Sequence, residues 1–409
     1  MDNIKIGLFG FGCVGQGFYD ILQQQQLPME IIGICVKDTS KPRTLPKDRF
    51  TFCPQDLLDN PDIDVIVELI DDAEEAFSIV KNALLQGKKV VTANKKMVAE
   101  HFEELLLLRN PQNALRYEAA VCGSIPIVNT VDSFYTGEPL HQISGIFNGS
   151  SNFILSKIEK EGISYQQALS LAQDLGFAET DPRLDVGGFD SLNKLVILLA
   201  HGFGVITTPQ SLVNLGIHHL GEEDFAFARS RGLRIKLVAR GALKNPGVRA
   251  YVMPAFVNNE NPLWQVEEEY NGVLVQGAYS DSHLYTGKGA GSHPTAASVI
   301  ADLHAVLKHQ TYDYPKLSSG AGHFIDNKIK VPIYLRFRQP SQLEEFQFHK
   351  IWSEGRLKNG GFVLGTISLS HLWSLQDYAD QQGIAIVDIS SVQETISSLN
   401  GVLKKELVH

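Results

Sequence analysis

The chain begins with a strand, a glycine-rich turn and a helix in direct succession. Residues 4–9 (IKIGLF) predict a buried strand, residues 10–15 read GFGCVG, and the following FYDILQQQQ has helical spacing. The turn fits the pattern GxGxxG, in which the first glycine permits a tight turn, the second lets the backbone approach a pyrophosphate, and the third lets helix and strand pack closely. A helix N-terminus also attracts anions through its N–H groups. In this context the motif predicts a dinucleotide-binding domain rather than a mere tight turn.

Strands and helices continue to alternate after this motif. Residues 30–36, 64–70 and 88–93 predict strands, and residues 74–87 predict a helix. Alternation of this kind produces a parallel, doubly wound α/β sheet of the Rossmann type, which binds its ligands beyond the C-terminal ends of the strands. Lys95 directly follows one of these ends, so we expect its ammonium group at the ligand site.

The residues after the second strand bear on the choice of cofactor. A site for the 2′-phosphate of NADP prefers cations, whereas an NAD site usually places a carboxylate near the adenine ribose. Lys37, with Lys41 or Arg43 near it, therefore favours NADP. Asp38 lies in the same segment and could instead bind the ribose hydroxyls of NAD, or all of these charges could form a solvated loop.

Composition narrows the class of protein. The 409 residues include 36 Lys and Arg against 46 Asp and Glu, and this formal net charge of −10 argues against an electrostatic nucleic-acid binder. No apolar run reaches the ~18–20 residues that span a bilayer, and the N-terminus lacks the basic segment of a signal peptide. We therefore expect a cytoplasmic protein that has neither nucleic acid nor a membrane as a partner.

The four cysteines give no sign of a metal site or a disulfide framework. They form no CxxC pair, and no histidine lies near them at metal-ligand spacing. The expectation is that all four are small buried thiols: Cys13, Cys35, Cys53 and Cys122.

Residues 175–204 hold the densest cluster of charged side chains. Asp190 and Lys194 are four residues apart at the start of an apolar helix (KLVILLAHGFG), which places them on one face. An exposed pair of this kind contributes little, but the apolar continuation indicates that the pair is embedded in protein. A lysine in such a pocket is suited to donate a proton. The other carboxylates of the cluster are Glu179, Asp181 and Asp185.

Two further segments are ambiguous by pattern alone. Glu118 stands beside small residues and an apolar loop (YEAAVCGSIPI), where a carboxylate could coordinate a cation or hold a helix end. Residues 148–152 (NGSSN) form a polar turn before an amphipathic helix, with Ser or Asn as the cap.

Taken together, these segments resemble the homoserine dehydrogenase family over roughly residues 1–330. The matching motifs occur in the order of that family: GLFGFGCVGQG, VVTANK, YEAAVCGSIPI, GIFNGSSNFIL, GFAETDPRLDVGGFDSLNKL and TGKGAGSHPTAASV. The resemblance implies reduction of L-aspartate 4-semialdehyde to L-homoserine with NAD(P)H, in threonine, methionine and isoleucine biosynthesis. Since no aspartokinase segment precedes the first strand, we expect the monofunctional form.

The resemblance also implies roles for single residues. Lys194 would donate the proton to the aldehyde oxygen, Asp190 would orient it or bind substrate beside it, and Glu179 would hold the substrate ammonium group. Lys95 would lie where nicotinamide and substrate meet, and Ser150 keeps the hydroxyl of a family threonine. The cofactor, NADP with NAD as the alternative, would contact Gly10, Gly12, Cys13, Val14, Gly15, Lys37, Thr92, Lys95, Gly176, Gly289 and Gly291.

A sodium-like cation is a further implication of the resemblance. The family holds it with a glutamate carboxylate and backbone carbonyl groups, which suit hard cations of low charge. The matching residues here are Glu118, Val121, Gly123 and Ile125.

One departure from the family concerns the cofactor. The family commonly has two glycines after the strand VELI, whereas this chain has Asp71-Asp72. Two carboxylates near a dinucleotide phosphate would repel it, so we expect them to turn outward.

Three regions are expected. Residues 1–130 with about 286–312 form the nucleotide-binding domain, and residues 131–285 with about 313–330 form an α+β substrate domain that makes a homodimer. Residues 331–409 begin like a regulatory ACT domain (IYLRFR) but lack its usual effector loop; a hairpin about residues 358–361, a helix and a strand follow. This degenerate ACT-like module could be structural or oligomerising rather than threonine-sensing.

Two other functions compete with this interpretation. An aspartate-semialdehyde dehydrogenase would need a nucleophilic cysteine, for which Cys122 is the only candidate. A non-catalytic, cofactor-binding regulator would be expected to lose the catalytic set, yet Glu179, Asp190, Lys194 and Lys95 are all present.

Overall fold

The computed structural model describes residues 3–108, 114–244, 247–319, 322–393 and 396. The chain divides into two compact units, each built from separate stretches of sequence. The first unit comprises Met1–Gly137, Val196–Thr208 and Gly287–Ala321, and the second comprises Glu138–Leu195, Pro209–Thr286 and Gly322–His409.

A six-stranded parallel sheet forms the centre of the first unit. The first strand of the chain lies inside the sheet and the order reverses beside it, as in dinucleotide-binding folds. The predicted doubly wound α/β fold is thus confirmed, with strands slightly shorter than predicted. In spatial order they are Phe50–Thr51, Met29–Cys35, Ile4–Phe9, Val65–Glu68, Lys89–Thr92 and Leu115–Arg116.

Two helices, Cys13–Gln25 and Ser292–Leu307, share one apolar core with the sheet. The helix Ser292–Leu307 returns to this unit and places Ala296, Val299 and Leu303 in the same core as Phe18 of the first helix. Their spacing of three and four residues gives that helix a buried face. The helices of this unit are Cys13–Gln25, Gln55–Leu58, Ala73–Leu85, Lys95–Glu100, Phe102–Leu107, Ile127–Asn129, Ser292–Leu307 and Pro315–Ser318.

A mixed sheet dominates the second unit, where eleven strands are found among the described residues. Two short strands, Val213–Asn214 and Phe324–Ile325, pair with Gly247–Val257 outside the main path. The main path runs Ser282–Lys288, Tyr270–Gly277, Leu140–Ile146, Arg234–Lys244, Gly247–Val257, Ala385–Asp388, Lys330–Phe337, Gly360–Ser368 and Lys350–Leu357.

The helices of the second unit pack on this sheet. The helix Phe189–Phe203 belongs to this unit up to Leu195. The others are Gly149–Glu161, Tyr165–Asp174, Arg183–Val186, Glu222–Arg229 and Leu369–Gln382. Among the described residues, no helix is both long enough and apolar enough to cross a bilayer.

The C-terminal region continues the sheet of the second unit. The predicted hairpin is present, with Leu357 paired to Gly360 across a two-residue turn, and the predicted helix and final strand follow it. Tyr251 and Met253 share a core with apolar residues of this region such as Ile333 and Ile386. The remainder of the predicted module, residues 397–409, lies outside the described residues.

A buried ion pair also links this region to the rest of the second unit. Asp224 accepts hydrogen bonds from Arg336 Nε at 2.9 and 3.0 Å and from the Tyr334 hydroxyl at 2.8 Å. Asp224 is 0% and Arg336 5% exposed. Such a charged pair is satisfied only while both partners are present.

The expectation of four buried thiols is wrong for two of them. Cys35 and Cys122 are buried, but Cys13 and Cys53 are exposed, and all four are free. Cys13 is exposed because it is the first residue of the helix that follows the glycine turn.

Candidate active site

Lys194 and Asp190 meet in a buried part of the second unit. The Lys194 ammonium group donates to Asp190 Oδ2 at 2.7 Å and to the Phe147 carbonyl oxygen at 2.6 Å. Lys194 is 4% and Asp190 6% exposed. The predicted i, i+4 pair therefore lies within protein rather than on the surface, and two of the three N–H bonds of the ammonium group have protein acceptors.

Two asparagines donate to the acceptors of Lys194, and sequence reasoning assigned neither of them a catalytic role. Asn148 Nδ2 donates to Asp190 Oδ2 at 3.1 Å and to Asp185 Oδ1 at 2.7 Å, while its Oδ1 caps the next helix at Ser151 N. Asn271 Nδ2 donates to the Phe147 carbonyl oxygen at 2.8 Å. These bonds fix the two acceptors of Lys194. The cap was detectable as an NGSSN turn, but no local signal marked Asn271.

Of the remaining predicted residues of this unit, Gly176 and Glu179 lie between two helices, and Ser150 lies in the first turn of the helix Gly149–Glu161. Glu179 is exposed, and its backbone carbonyl accepts from Gln173 Nε2 at 3.0 Å. The Ser150 hydroxyl donates to the Phe177 carbonyl oxygen. Gly176 follows the helix Tyr165–Asp174 and its N–H donates to the Gln173 carbonyl at 3.0 Å.

The glycine turn of the first unit meets the three steric requirements of its motif. Gly10 has φ +91°, and a Cβ there would lie 2.5 Å from the Leu69 carbonyl oxygen; at Gly15 a Cβ would lie 2.5 Å from the Gly10 carbonyl oxygen. A Cβ at Gly12 would meet no atom within 4 Å. The turn therefore packs tightly on protein at Gly10 and Gly15, whereas space remains beside Gly12.

The helix that starts here has no side-chain cap among the described residues. Its first two residues are Cys13 and Val14, and the N-cap is Gly12. The N–H groups of a first helical turn need partners from outside the helix, so this terminus can receive an anion.

Asp71 and Asp72 are both exposed, in keeping with the expected outward orientation. Asp72 is the N-cap of the helix Ala73–Leu85, where its Oδ1 accepts from Glu75 N at 2.8 Å. A carboxylate is favourable at a helix N-terminus, which accounts for one of the two departures from the glycine pair.

A buried polar network joins the C-terminal ends of two strands in the first unit. Glu68 accepts from the Thr92 hydroxyl and from Ile70 N, and Thr92 Oγ1 in turn accepts from Asn94 N. Asn94 caps the helix that begins at Lys95. Thr92 and Lys95 thus lie at the predicted edge of the sheet, held by a glutamate that sequence reasoning did not select.

Burial raises the pKa of Glu68 to about 7. In the unfolded chain this carboxyl has its ordinary pKa of 4.5 and loses its proton at a lower pH than in the folded protein. The contribution of Glu68 to the free energy of unfolding therefore falls as the pH rises from 4.5 to about 7, and it stays low above that pH. Glu68→Gln is expected to remove about 3 kcal/mol of this pH dependence. Urea titrations at a series of pH values would measure it, with the exposed Glu30→Gln as control; identical pH profiles for Glu68→Gln and wild type would contradict the expectation.

The charged residues at the end of the second strand already have partners within the protein. Lys37 is exposed and its ammonium group lies 3.2 Å from Glu75 Oε2. Asp38 Oδ1 accepts from the N–H and hydroxyl of Ser40 and from Lys41 N. Asp38 is therefore engaged in its own turn, and these hydrogen bonds, that of the Ser40 hydroxyl first, lower its pKa.

Glu118 lies in a buried cluster with two other charged groups of the first unit. Its carboxylate oxygens accept from Val128 N at 2.8 Å and Asn129 N at 2.7 Å. Asp302 accepts from Glu118 N and from Arg116 Nε. Burial, and then the Asp302 charge, raise the pKa of Glu118 to about 8. The cluster holds two carboxylates and one guanidinium group.

The predicted carbonyl ligands occupy the loop that follows Glu118. Gly123 O accepts from the Ser298 hydroxyl at 2.7 Å, and a Cβ at Gly123 would lie 2.7 Å from backbone atoms of Gly289. Val121 and Ile125 are buried beside it. Gly291, also predicted at the cofactor, is the N-cap of the helix Ser292–Leu307.

Comparisons with known proteins identify the family to which this chain belongs. Residues 10–118 match the sequence model for the NAD-binding domain of homoserine dehydrogenase, and residues 126–304 match the model for homoserine dehydrogenase. A homoserine dehydrogenase from Bacillus subtilis (strain 168) is 37% identical over 320 residues, covering 76% of this chain and 74% of that protein. The chain belongs to the homoserine dehydrogenase family.

Solved structures of this family share the fold. A homoserine dehydrogenase from Thiobacillus denitrificans has a TM-score of 0.81 at 29% identity and covers 96% of this chain and 99% of its own. A hyperthermophilic archaeal homoserine dehydrogenase in complex with NADPH has a TM-score of 0.65 at 26% identity, with coverages of 76% and 99%. A homoserine dehydrogenase is an oxidoreductase, and residues 10–118, which lie in the first unit, match the NAD-binding domain of that family.

Neither competing function is supported. Every relative named above is a homoserine dehydrogenase, and the Cys122 thiol required by the aspartate-semialdehyde dehydrogenase alternative is 0% exposed. The regulator alternative has no match among these relatives, and its expected loss of Lys194 and Asp190 has not occurred.

Gly12→Ala is expected to raise the KM for the cofactor by about tenfold or more, a loss of at least about 1.4 kcal/mol. The added methyl group has room in the fold but occupies the side on which a pyrophosphate approaches such a turn. Thermal unfolding should therefore be unchanged. Gly137→Ala, which is equally open, is the control, and an unchanged cofactor KM in Gly12→Ala would contradict the expectation.

Proposed function

We propose that this homoserine dehydrogenase reduces L-aspartate 4-semialdehyde to L-homoserine with Lys194 as the proton donor. The observation that carries the proposal is the buried Lys194 ammonium group, which has two of its N–H bonds directed to Asp190 and Phe147. The third N–H bond remains for a substrate oxygen. A cation in a dry site is also the group that stabilises a developing alkoxide most strongly.

The reduction adds a hydride to the aldehyde carbon and a proton to its oxygen. The nicotinamide cofactor supplies the hydride when bound. Lys194 protonates the oxygen and then regains a proton from solvent, while Asp190, itself held by Asn148, orients the ammonium group. The exposed Glu179 carboxylate pairs with the substrate ammonium group, and Lys95 adds positive potential for the substrate carboxylate.

NADP is the proposed cofactor, with NAD as a weaker substitute. Lys37 and Arg43 supply positive charge at the end of the second strand, and Asp38 is already hydrogen-bonded within its own turn. A 2′-phosphate can displace Glu75 from Lys37, because their ion pair is exposed and therefore contributes little.

A sodium-like cation is proposed beside Glu118, with carbonyl groups of Val121, Gly123 and Ile125. The cluster of Glu118, Asp302 and Arg116 has one more negative than positive group when both carboxylates are ionised, so a bound monovalent cation would balance its charge. Oxygen donors also suit a hard cation. Replacing sodium by tetramethylammonium at equal ionic strength should lower the thermal midpoint of wild type but not that of Glu118→Gln. Equal midpoints of the wild type in both salts would contradict this site.

The remaining proposals rest on the family resemblance. They are a homodimer, a cytoplasmic location and a place in threonine, methionine and isoleucine biosynthesis. Light scattering at several protein concentrations would measure the oligomeric state.

The function itself is tested by homoserine oxidation with NADP and NAD side by side, with and without threonine. We expect turnover with both cofactors, a lower KM for NADP, and no inhibition by threonine if the C-terminal region is structural. Absence of turnover with either cofactor would overturn the proposed reaction.

A further inference from the structure

Two histidines and an aspartate converge in the second unit, apart from the residues assigned to catalysis. Asp380 Oδ1 lies 2.5 Å from His218 Nε2 and 2.9 Å from His219 Nε2. The three potential ligand atoms all lie within 4.8 Å of one another. One carboxylate oxygen thus faces two imidazole nitrogens at once.

The fold brings these residues together from distant parts of the chain. His218 and His219 are adjacent in the segment between Val213–Asn214 and the helix Glu222–Arg229, whereas Asp380 lies near the end of the helix Leu369–Gln382. The two rings are 4.1 Å apart, centroid to centroid. The side chains are 32%, 27% and 60% exposed in the order His218, His219, Asp380, so an ion from solvent can reach the cluster.

We propose that His218, His219 and Asp380 bind one late first-row divalent cation, with Zn²⁺ as the expected ion. Zinc binds imidazole nitrogen and carboxylate oxygen at about 2.0–2.2 Å in a tetrahedral arrangement, which separates its ligand atoms by roughly 3.3–3.5 Å. The observed nitrogen–oxygen separations need to widen by less than about 1 Å to reach this geometry. Two imidazoles with one carboxylate also favour zinc, nickel or copper over calcium or magnesium.

The electrostatic surroundings are compatible with a bound cation. The cationic Arg336 lies beside the cluster, where its Nη2 donates to the His219 backbone carbonyl at 2.5 Å, but its charge is balanced by the buried Asp224. The Nε2 atoms of His218 and His219 both face Asp380 Oδ1, so each ring presents a nitrogen to the position that a cation would occupy.

The expected consequence of binding is a cross-link inside the second unit. The ion would tie the helix Leu369–Gln382 of the C-terminal region to the segment that holds both histidines. Because the ion binds only the folded arrangement of these ligands, it should stabilise the fold. The site is independent of the proposed reaction, since none of its residues has a catalytic role.

The test is isothermal titration of the full chain with zinc chloride after removal of metals with a chelator. We expect one zinc ion per chain, and an affinity at least about tenfold lower in Asp380→Asn and in His219→Gln, since removal of even an indirect partner of a zinc ligand costs 10–100-fold. Zinc should raise the thermal midpoint of wild type more than that of either variant. Asp377→Asn, an exposed change one turn earlier on the same helix, should bind zinc like wild type.

X-ray absorption of the zinc complex provides a second readout, in which two imidazole ligands are expected. Circular dichroism and homoserine oxidation establish that each variant is folded, and if one is not, His218→Gln takes its place. Zinc affinity that is unchanged in the ligand variants, or a zinc spectrum without imidazole, would overturn the proposed site. Loss of homoserine oxidation in the wild type would instead count against the proposed function.

Discussion

Lys194→Ala is expected to lower kcat by about 10²- to 10⁴-fold, the usual contribution of a positioned general acid, with a much smaller change in KM. The variant lacks the group that protonates the substrate oxygen and offsets its developing charge. Substrate binding should change less, because the proposed partner of the substrate ammonium group is Glu179 on a separate loop. Steady-state rates of homoserine oxidation and semialdehyde reduction would measure both parameters.

The control for this variant is Lys96→Ala. Lys96 is exposed and pairs only weakly with Glu100, at 3.9 Å, so its loss should leave kcat unchanged. Removing Lys194 also removes the ion pair that the buried Asp190 makes with it at 2.7 Å, so unfolding and cofactor binding must be compared with wild type. Partial rescue of Lys194→Ala by a small primary amine is expected, and near-normal turnover without one would refute the assigned role.

Asp224→Ala is expected to lower the free energy of unfolding by about 3–5 kcal/mol, because it strands a buried charge. Arg336, 5% exposed, would keep its position in the strand Lys330–Phe337 without its carboxylate partner. The hydroxyl of Tyr334 would lose its acceptor as well. Urea titration would measure the change, with Glu222→Ala, an exposed residue of the same helix, as the control.

A double variant distinguishes the stranded charge from lost packing. Replacing a buried ion pair with apolar side chains of similar size is often nearly neutral. Asp224→Leu combined with Arg336→Met should therefore be more stable than Asp224→Ala alone. A free energy of unfolding for Asp224→Ala within about 1 kcal/mol of wild type would mean that the pair is not a determinant of stability.

Local patterns predicted the elements whose physical causes are local. The glycine turn was recognisable because the spacing of Gly10, Gly12 and Gly15 is a local pattern, and a Cβ at Gly15 would meet the nearby Gly10 carbonyl oxygen. The pairing of Asp190 with Lys194 was predictable because a helix fixes the i, i+4 distance. Both could be derived before any long-range contact was known.

Contacts that depend on strand pairing were beyond such reasoning. Asn271 reaches the Phe147 carbonyl only because the strands Tyr270–Gly277 and Leu140–Ile146 pair in one particular register. Likewise, the sequence does not show that Glu68 accepts a hydrogen bond from Thr92, because the two residues meet only through the pairing of their strands. Two exposed thiols were also mispredicted, since cysteine's preference for burial says nothing about the helix start at Cys13.

The order of strands in the second unit has a consequence for synthesis. The strand Ala385–Asp388 is the last described strand in the sequence, yet it lies between Gly247–Val257 and Lys330–Phe337. A nascent chain therefore cannot complete this sheet until residues 385–388 have left the ribosome. Until then two inner strands present open edges, which are prone to pair with other chains. Stop codons placed before residue 385 should consequently produce insoluble protein rather than a shortened, active enzyme.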